Sequence, residues 1–311
     1  MRGCELLSRI PVLRALRQKP SEVVVRPPGA RFLSAPLPIA KYAVQHRDFA
    51  WLSLAAYSAT PAAYKRAARV ARKVATGMAP RDEALPVRDP AAVLAAAGWT
   101  RWPQFGDPAI WRRIDAAHLR VEIWEHAAPD AIAVAFGGTV FDNEKDWLSN
   151  LRWFIPHHKD EYTQVVHTFV QLLCEEFKRR YPAGNRPALF STGHSLGGGL
   201  AQQFAYALPM DDGVPRVKEV YAFDPSPVTG YFSVPRSLRD RNKRDLSIDR
   251  VYERGEILAL ARSLINLVYE TPRGHPAIRG VRYSLFHGWN PLADHSMVRL
   301  ADKIDLAANA D

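Results

Sequence analysis

Phe190 to Leu200 reads "FSTGHSLGGGL". A short β-like run, "ALFSTG" (188–193), leads in, and "LGGGLAQQFAYAL" leads out with Leu196, Leu200, Phe204 and Leu208 spaced four apart, a helical repeat. The pattern G-x-S-x-G over Gly193–Gly197 therefore falls at a strand-to-helix junction. A nucleophile on so sharp a turn brings the residues two before and two after it against neighbouring backbone, so both must be small. The turn lifts the Ser195 hydroxyl above the carboxyl edge of a sheet. The helix that follows aims its positive end at the same place, with the Leu196 N–H as a donor to a developing oxyanion. A plain glycine-rich turn is the competing reading, and the flanking strand and helix weigh against it.

The chain around this junction alternates strands and helices. "LRVEIWEH" (119–126) alternates apolar and polar residues, while "AIAVAFGG" (131–138) is almost wholly apolar, as in a strand buried on both faces. Residues 161–180 place Val166, Phe169, Val170, Leu173 and Phe177 on one helical stripe before Pro182. "VKEVYAF" (217–223) and "DRVYERG" (249–255) are further strand candidates. Such alternation predicts an α/β fold with a mainly parallel central sheet and helices on both faces. The simplest division is a Pro/Arg-rich arm over residues 1–44 and one domain over 45–311.

Composition sets outer bounds. Hydrophobic residues make up 47% of the 311-residue chain, enough to exclude wholesale disorder and to build a sizeable core. The net charge of +10 draws the chain to anions, an anionic membrane surface among them. Basic residues gather at the N-terminus and in "RSLRDRNKR" (236–244), yet no nucleic-acid module signature accompanies them, and nucleic acid is not expected as a partner. Cys4 and Cys174 cannot form a disulfide framework, and Cys174 lies in an apolar helical pattern, as a small core residue would. No run reaches the length of a membrane span, and Arg9 and Arg14 break the N-terminus as a secretory signal. The cytoplasm is the default location, with export by a signal-independent route left open.

A serine nucleophile needs a base, and the base needs an acid to orient it. In strand–elbow–helix folds the chain order is Ser, acid, His. Of His275, His287 and His295, the last sits in "PLADHSMVRL" just before a final helix and is the preferred base, with His287 in reserve. Glu256, in a loop opened by Gly255 after "RVYER", is the favoured acid; Asp224, closing the preceding strand, is the alternative. Glu253 falls within a strand, Asp249 at its start, and Asp294 adjoins His295 too closely for the required geometry. A second oxyanion donor is expected after the buried strand, where Gly137 and Gly138 let backbone approach and Thr139 offers an N–H and a hydroxyl. Asp146 either braces that loop or caps the helix near Trp147.

Together "VAFGGT…DW", "STGHSLGGGLA", "RVYERGEIL" and "DHSM" resemble the class 3 lipases, the fungal-lipase-like branch of the α/β-hydrolases, over Leu119 to Leu300. The resemblance implies Ser195 as nucleophile, Thr139 and Leu196 as oxyanion donors, Glu256 as acid, His295 as base and Asp146 as support for the Gly138–Thr139 loop. It implies hydrolysis of lipid carboxylic esters without cofactor or metal. Two residues depart from the family's habit: Gly137 stands where an arginine is usual, and Glu256 where aspartate is commoner. Two stretches are lid candidates, "NLRWFIPHHKD" (150–160) and "ILALARSLINLVY" (257–269). Other readings keep the triad on a thioester or amide, or make the chain a non-catalytic basic binding protein.

Overall fold

The computed structural model describes residues 21–57, 88–128, 130–138, 165–182, 186–209, 213–256, 272–286 and 295–310. Outside them lie both lid candidates, and Thr139, Asp146, His287 and Asp294.

Among the described residues nine strands form one sheet: β1 (Val23–Arg26), β2 (Pro36–Leu37), β3 (Trp99–Arg101), β4 (Val121–His126), β5 (Ala131–Phe136), β6 (Ala188–His194), β7 (Val217–Phe223), β8 (Ser247–Glu253) and β9 (Ala277–Tyr283). Their order is β2-β1-β9-β8-β7-β6-β5-β4-β3. Strands β5 to β9 run parallel, and antiparallel strands close both sides. This is the α/β architecture expected from the alternation of elements, parallel at its centre. The Pro/Arg-rich arm enters it: from Val23 the chain pairs with β9, Val25 standing opposite Val281.

Helices are α1 (Ile39–Ala55), α2 (Pro90–Ala96), α3 (Pro108–Ala116), α4 (Val170–Arg180), α5 (Leu196–Ala207), α6 (Arg236–Asn242) and α7 (Met297–Ala308). The period-2 alternation of strand side chains sorts the core into two layers. On β5, Ile132, Val134 and Phe136 face the layer of α4 and α5, with Phe169, Phe177, Leu200 and Phe204. The small Ala131, Ala133 and Ala135 face the layer of α1 and α7, with Trp51, Leu52, Leu300 and Ile304. Each fully buried large apolar side chain contributes roughly 1.5–3 kcal/mol.

Strand β6 is fastened to both layers by adjacent hydroxyls. Ser191 Oγ donates to the Ala201 carbonyl of α5 at 3.0 Å. Thr192 Oγ1, on the opposite face, reaches Ser53 Oγ of α1 at 2.7 Å and the Phe49 carbonyl at 3.2 Å. Register then lines up the strand ends: Phe136 stands opposite Gly193, His194 opposite Phe223, and Phe223 opposite Val251. Gly137, Ser195, Asp224 and the residues after β8 consequently share one edge of the sheet.

Candidate active site

Ser195 sits between β6 and α5 with φ 56° and ψ −122°. That region is a natural one for glycine at the first central position of a type II′ turn and a strained one for serine. Three backbone bonds hold it. The Ser195 N–H donates to the Phe223 carbonyl at 3.0 Å, and the Ser195 carbonyl accepts from Ser226 N–H at 2.9 Å and Gly198 N–H at 3.1 Å. The flanking glycines are required by space. A Cβ on Gly193 would stand 2.3 Å from the Gly197 oxygen, and one on Gly197 would stand 2.1 Å from the Phe136 oxygen. Both contacts are with backbone, which cannot rotate away. Ser195 is buried, at 7% exposure.

The histidine and carboxylate come from separate loops. Glu256 follows β8 after Gly255, whose φ of 83° turns the chain. His295 stands two residues ahead of α7. His295 Nδ1 and Glu256 Oε2 are 2.9 Å apart, and both side chains are buried. The imidazole ring packs 4.7 Å, centroid to centroid, from that of His194, the residue before the elbow serine. The histidine–carboxylate pair thus stands beside the elbow.

The other carboxylates at this edge face other partners. Asp224, with φ 38°, accepts the Glu253 N–H on Oδ1 at 3.2 Å and places Oδ2 4.0 Å from His194 Nε2. Glu253 accepts the backbone N–H groups of Leu285 and Phe286 at 3.0 and 3.2 Å. Asp249 lies deep in the sheet, 3.0 Å from His46 Nε2 and 2.6 Å from Arg279 Nε; despite the burial that opposes it, His46 and Arg279 hold its carboxyl below the usual range. Among the described residues, the sequence candidate Glu256 stands within hydrogen-bond distance of His295 Nδ1. His275 precedes β9 at the opposite edge, since Ala277 pairs with Ser247.

Two residues that sequence reasoning passed over complete the cluster. Tyr57, after α1, brings its hydroxyl to 2.6 Å from His194 Nδ1 and 3.4 Å from the His194 carbonyl. A Cβ on Gly138 would lie 2.2 Å from the Tyr57 hydroxyl and 2.8 Å from the His194 oxygen, so only glycine fits between them. Burial pushes the Tyr57 hydroxyl far above its ordinary pKa; Arg120 draws it down, the Asp224 charge adds to the rise, and the Gly138 N–H also lowers it. Tyr57 stays protonated across the physiological range. His194 had a signal in its place next to Ser195; Tyr57, 137 residues away along the chain, had none.

Gly137, where the resembled family usually carries arginine, has the Ala56 oxygen 2.5 Å from the position of a Cβ and Arg120 Cβ at 2.9 Å. Arg120 enters from the neighbouring strand end instead and donates to the Tyr57 carbonyl at 3.4 Å.

No protein-family model matches the chain, and no curated protein matches it. Among solved structures it is similar to a Rhizomucor miehei lipase in complex with its propeptide, at 13% identity over 92% of this chain and 80% of that one, with a TM-score of 0.44. A lipase from Yarrowia lipolytica is similar at 14% identity, over 76% of each chain, with a TM-score of 0.41. Lipase II from Rhizopus niveus is similar at 14% identity, over 78% of this chain and 79% of that one, with a TM-score of 0.38.

Proposed function

We propose that the chain is a serine hydrolase of carboxylic esters, acting on lipid esters through Ser195, His295 and Glu256. One observation carries the reading: a serine held at φ 56° on a strand-to-helix elbow, beside a buried histidine bonded at 2.9 Å to a buried glutamate. A backbone strained at a residue whose neighbours are forced to glycine is a feature that function, not stability, retains.

In this reading Glu256 fixes the tautomer of His295 by accepting the Nδ1–H, which leaves Nε2 as the base. Ser195 attacks the acyl carbonyl as its proton passes to His295. The Leu196 N–H, at the start of α5, and Thr139 hold the oxyanion, with Gly138 letting that backbone approach and Asp146 bracing the loop. His295 then protonates the leaving alcohol and activates the water that frees the acid. Every step is proton transfer and acyl exchange among these side chains, substrate and water. The lipid preference follows from the resemblance of the four motifs, and the basic surface suits a peripheral approach to an anionic membrane. Phe232, 90% exposed beside the basic helix α6, provides an apolar contact for that approach.

The test is covalent and kinetic together. A fluorophosphonate probe is expected to label Ser195 alone, and Ser195→Ala is expected to lose p-nitrophenyl ester hydrolysis by at least about 10³-fold with an unchanged circular dichroism spectrum. Activity surviving in that variant would refute the assignment. Hydrolysis of thioesters or amides in preference to lipid esters would keep the triad and change the substrate.

A further inference from the structure

His194, Asp224 and His295 come from three separate elements, yet one potential ligand atom from each lies within 4.8 Å of the other two. All three residues are buried, at 4%, 0% and 6% exposure. Each imidazole is also oriented from behind. Glu256 stands 2.9 Å from Nδ1 of His295, and the Tyr57 hydroxyl 2.6 Å from Nδ1 of His194. Metal-binding histidines are held in this way, one ring nitrogen bonded to a carboxylate or hydroxyl while the other turns to the ion. Asp224 is fixed just as firmly. Its N–H donates to the Val251 carbonyl at 2.7 Å and its Oδ1 accepts the Glu253 N–H, so Oδ2 points towards His194 Nε2.

We propose that these three side chains form an inhibitory site for a borderline divalent transition-metal ion, Zn²⁺ foremost. Two imidazoles and one carboxylate suit Zn²⁺, Cu²⁺, Ni²⁺ or Co²⁺ and not Mg²⁺ or Ca²⁺, which prefer oxygen donors alone. Bonds of about 2.0–2.2 Å to a tetrahedral ion place its donors roughly 3.4 Å apart. The 4.0 Å between His194 Nε2 and Asp224 Oδ2 needs to close only slightly, and small side-chain rotations bring in His295. A water completes the coordination. The ion uses the same Nε2 lone pair of His295 that would accept the Ser195 proton, so metal binding and base catalysis exclude each other. Only this consequence rests on the hydrolase reading; the binding of the ion does not.

The experiment is a direct titration of the full chain, stripped with EDTA and then desalted, with Zn²⁺ against a chromophoric chelator. Co²⁺ serves as the spectroscopic probe. The expected result is one ion per chain with micromolar affinity, and a Co²⁺ visible band of low-symmetry, four- or five-coordinate intensity. His194→Asn and Asp224→Asn should each weaken binding at least about tenfold, whereas Ser195→Ala should bind as the parent does. Zinc-edge X-ray absorption of the unaltered protein should show two imidazoles, a readout that does not depend on any variant folding. Ester hydrolysis should fall as the site fills and return on adding EDTA. If Zn²⁺ binds with two imidazoles and no esterase activity exists, the site stands and the hydrolase reading falls. If binding is absent, or is equally strong in His194→Asn and Asp224→Asn, or shows no imidazole, the metal site is overturned whatever the enzyme does.

Discussion

Replacing Ser195 by glycine should make the protein more stable while removing its activity, and comparison with alanine isolates the reason. At φ 56° and ψ −122° the backbone lies where a side chain costs about 1–3 kcal/mol and glycine rests without strain. Against this, glycine loses more freedom on folding, by about 0.5–1 kcal/mol. The net expectation for Ser195→Gly is a gain of about 0–2.5 kcal/mol, centred near 1 kcal/mol. Ser195→Ala keeps the Cβ and the strain, so it should leave stability close to that of the parent. No bond of the Ser195 side chain caps α5, so loss of the hydroxyl gives alanine little to lose at the helix start. Urea unfolding at neutral pH, followed by circular dichroism and fluorescence with one slope for all three proteins, resolves the difference. The informative quantity is the gap between the two variants, because both lack the hydroxyl. Were Ser195→Gly no more stable than Ser195→Ala, the elbow would not be storing strain, and the argument from backbone to nucleophile would fail.

Glu256→Gln should reduce kcat by about 10²–10⁴-fold and leave KM nearly unchanged, because the amide no longer holds the His295 tautomer or stabilises its protonated form; steady-state kinetics with a soluble ester measures both, and a loss confined to KM would reject Glu256 as the orienting acid. Asp302, on α7, is pushed up to about 6 by burial, which outweighs the nearby Arg88, while the Asp305 charge adds to the rise. An acid whose folded pKa exceeds its unfolded one binds more protons when folded, so stability falls as pH rises from about 4 to about 6 and stays lower above it. Asp302→Asn is therefore expected to stabilise the protein by on the order of 1–3 kcal/mol at pH 8 and by little at pH 4. Urea unfolding at the two pH values checks this, and an equal change at both would contradict it.

The sequence made the elbow legible because its signal is local. Gly193 is dictated by the Gly197 oxygen that the turn itself brings near, and α5 carries a clear four-residue repeat; the need for Gly197 comes instead from the Phe136 oxygen of the neighbouring strand. Glu256 and His295, which stand 2.9 Å apart, were legible as candidates too, since position relative to a strand end or a final helix needs no tertiary contact. Other elements gave no such signal. β9, "AIRGVRY", carries Arg279 where an apolar residue would be expected. The structure shows why it is tolerated: Arg279 bonds Asp249 at 2.6 Å and Glu219 at 3.0 Å, each from a different strand. β1 was hidden because Val23–Arg26 sits in a Pro- and Arg-rich stretch and pairs with residues more than 250 positions away. Tyr57 was hidden for the same reason, as its meaning lies in what α1 brings it against.

The preference for Glu256 over the other carboxylates as the proposed acid has a physical basis in the direction of β8. Asp249, Val251 and Glu253 alternate with Ile248 along the strand, and Val251 and Ile248 lie in opposite core layers. A carboxylate within the strand therefore points into one layer or the other, where burial demands that neighbours satisfy it. Asp249 is satisfied by His46 and Arg279, and Glu253 by the N–H groups after β9. Asp224 stands one residue past β7, but its φ of 38° sends it towards His194 and the Glu253 N–H. Glu256 lies beyond the strand and beyond the Gly255 turn, so it has left the sheet's alternation altogether. From that position its Oε2 reaches His295 Nδ1 at 2.9 Å. The same logic suits Asp224, a buried carboxylate with Oδ2 4.0 Å from His194 Nε2, to the proposed metal site as its third ligand.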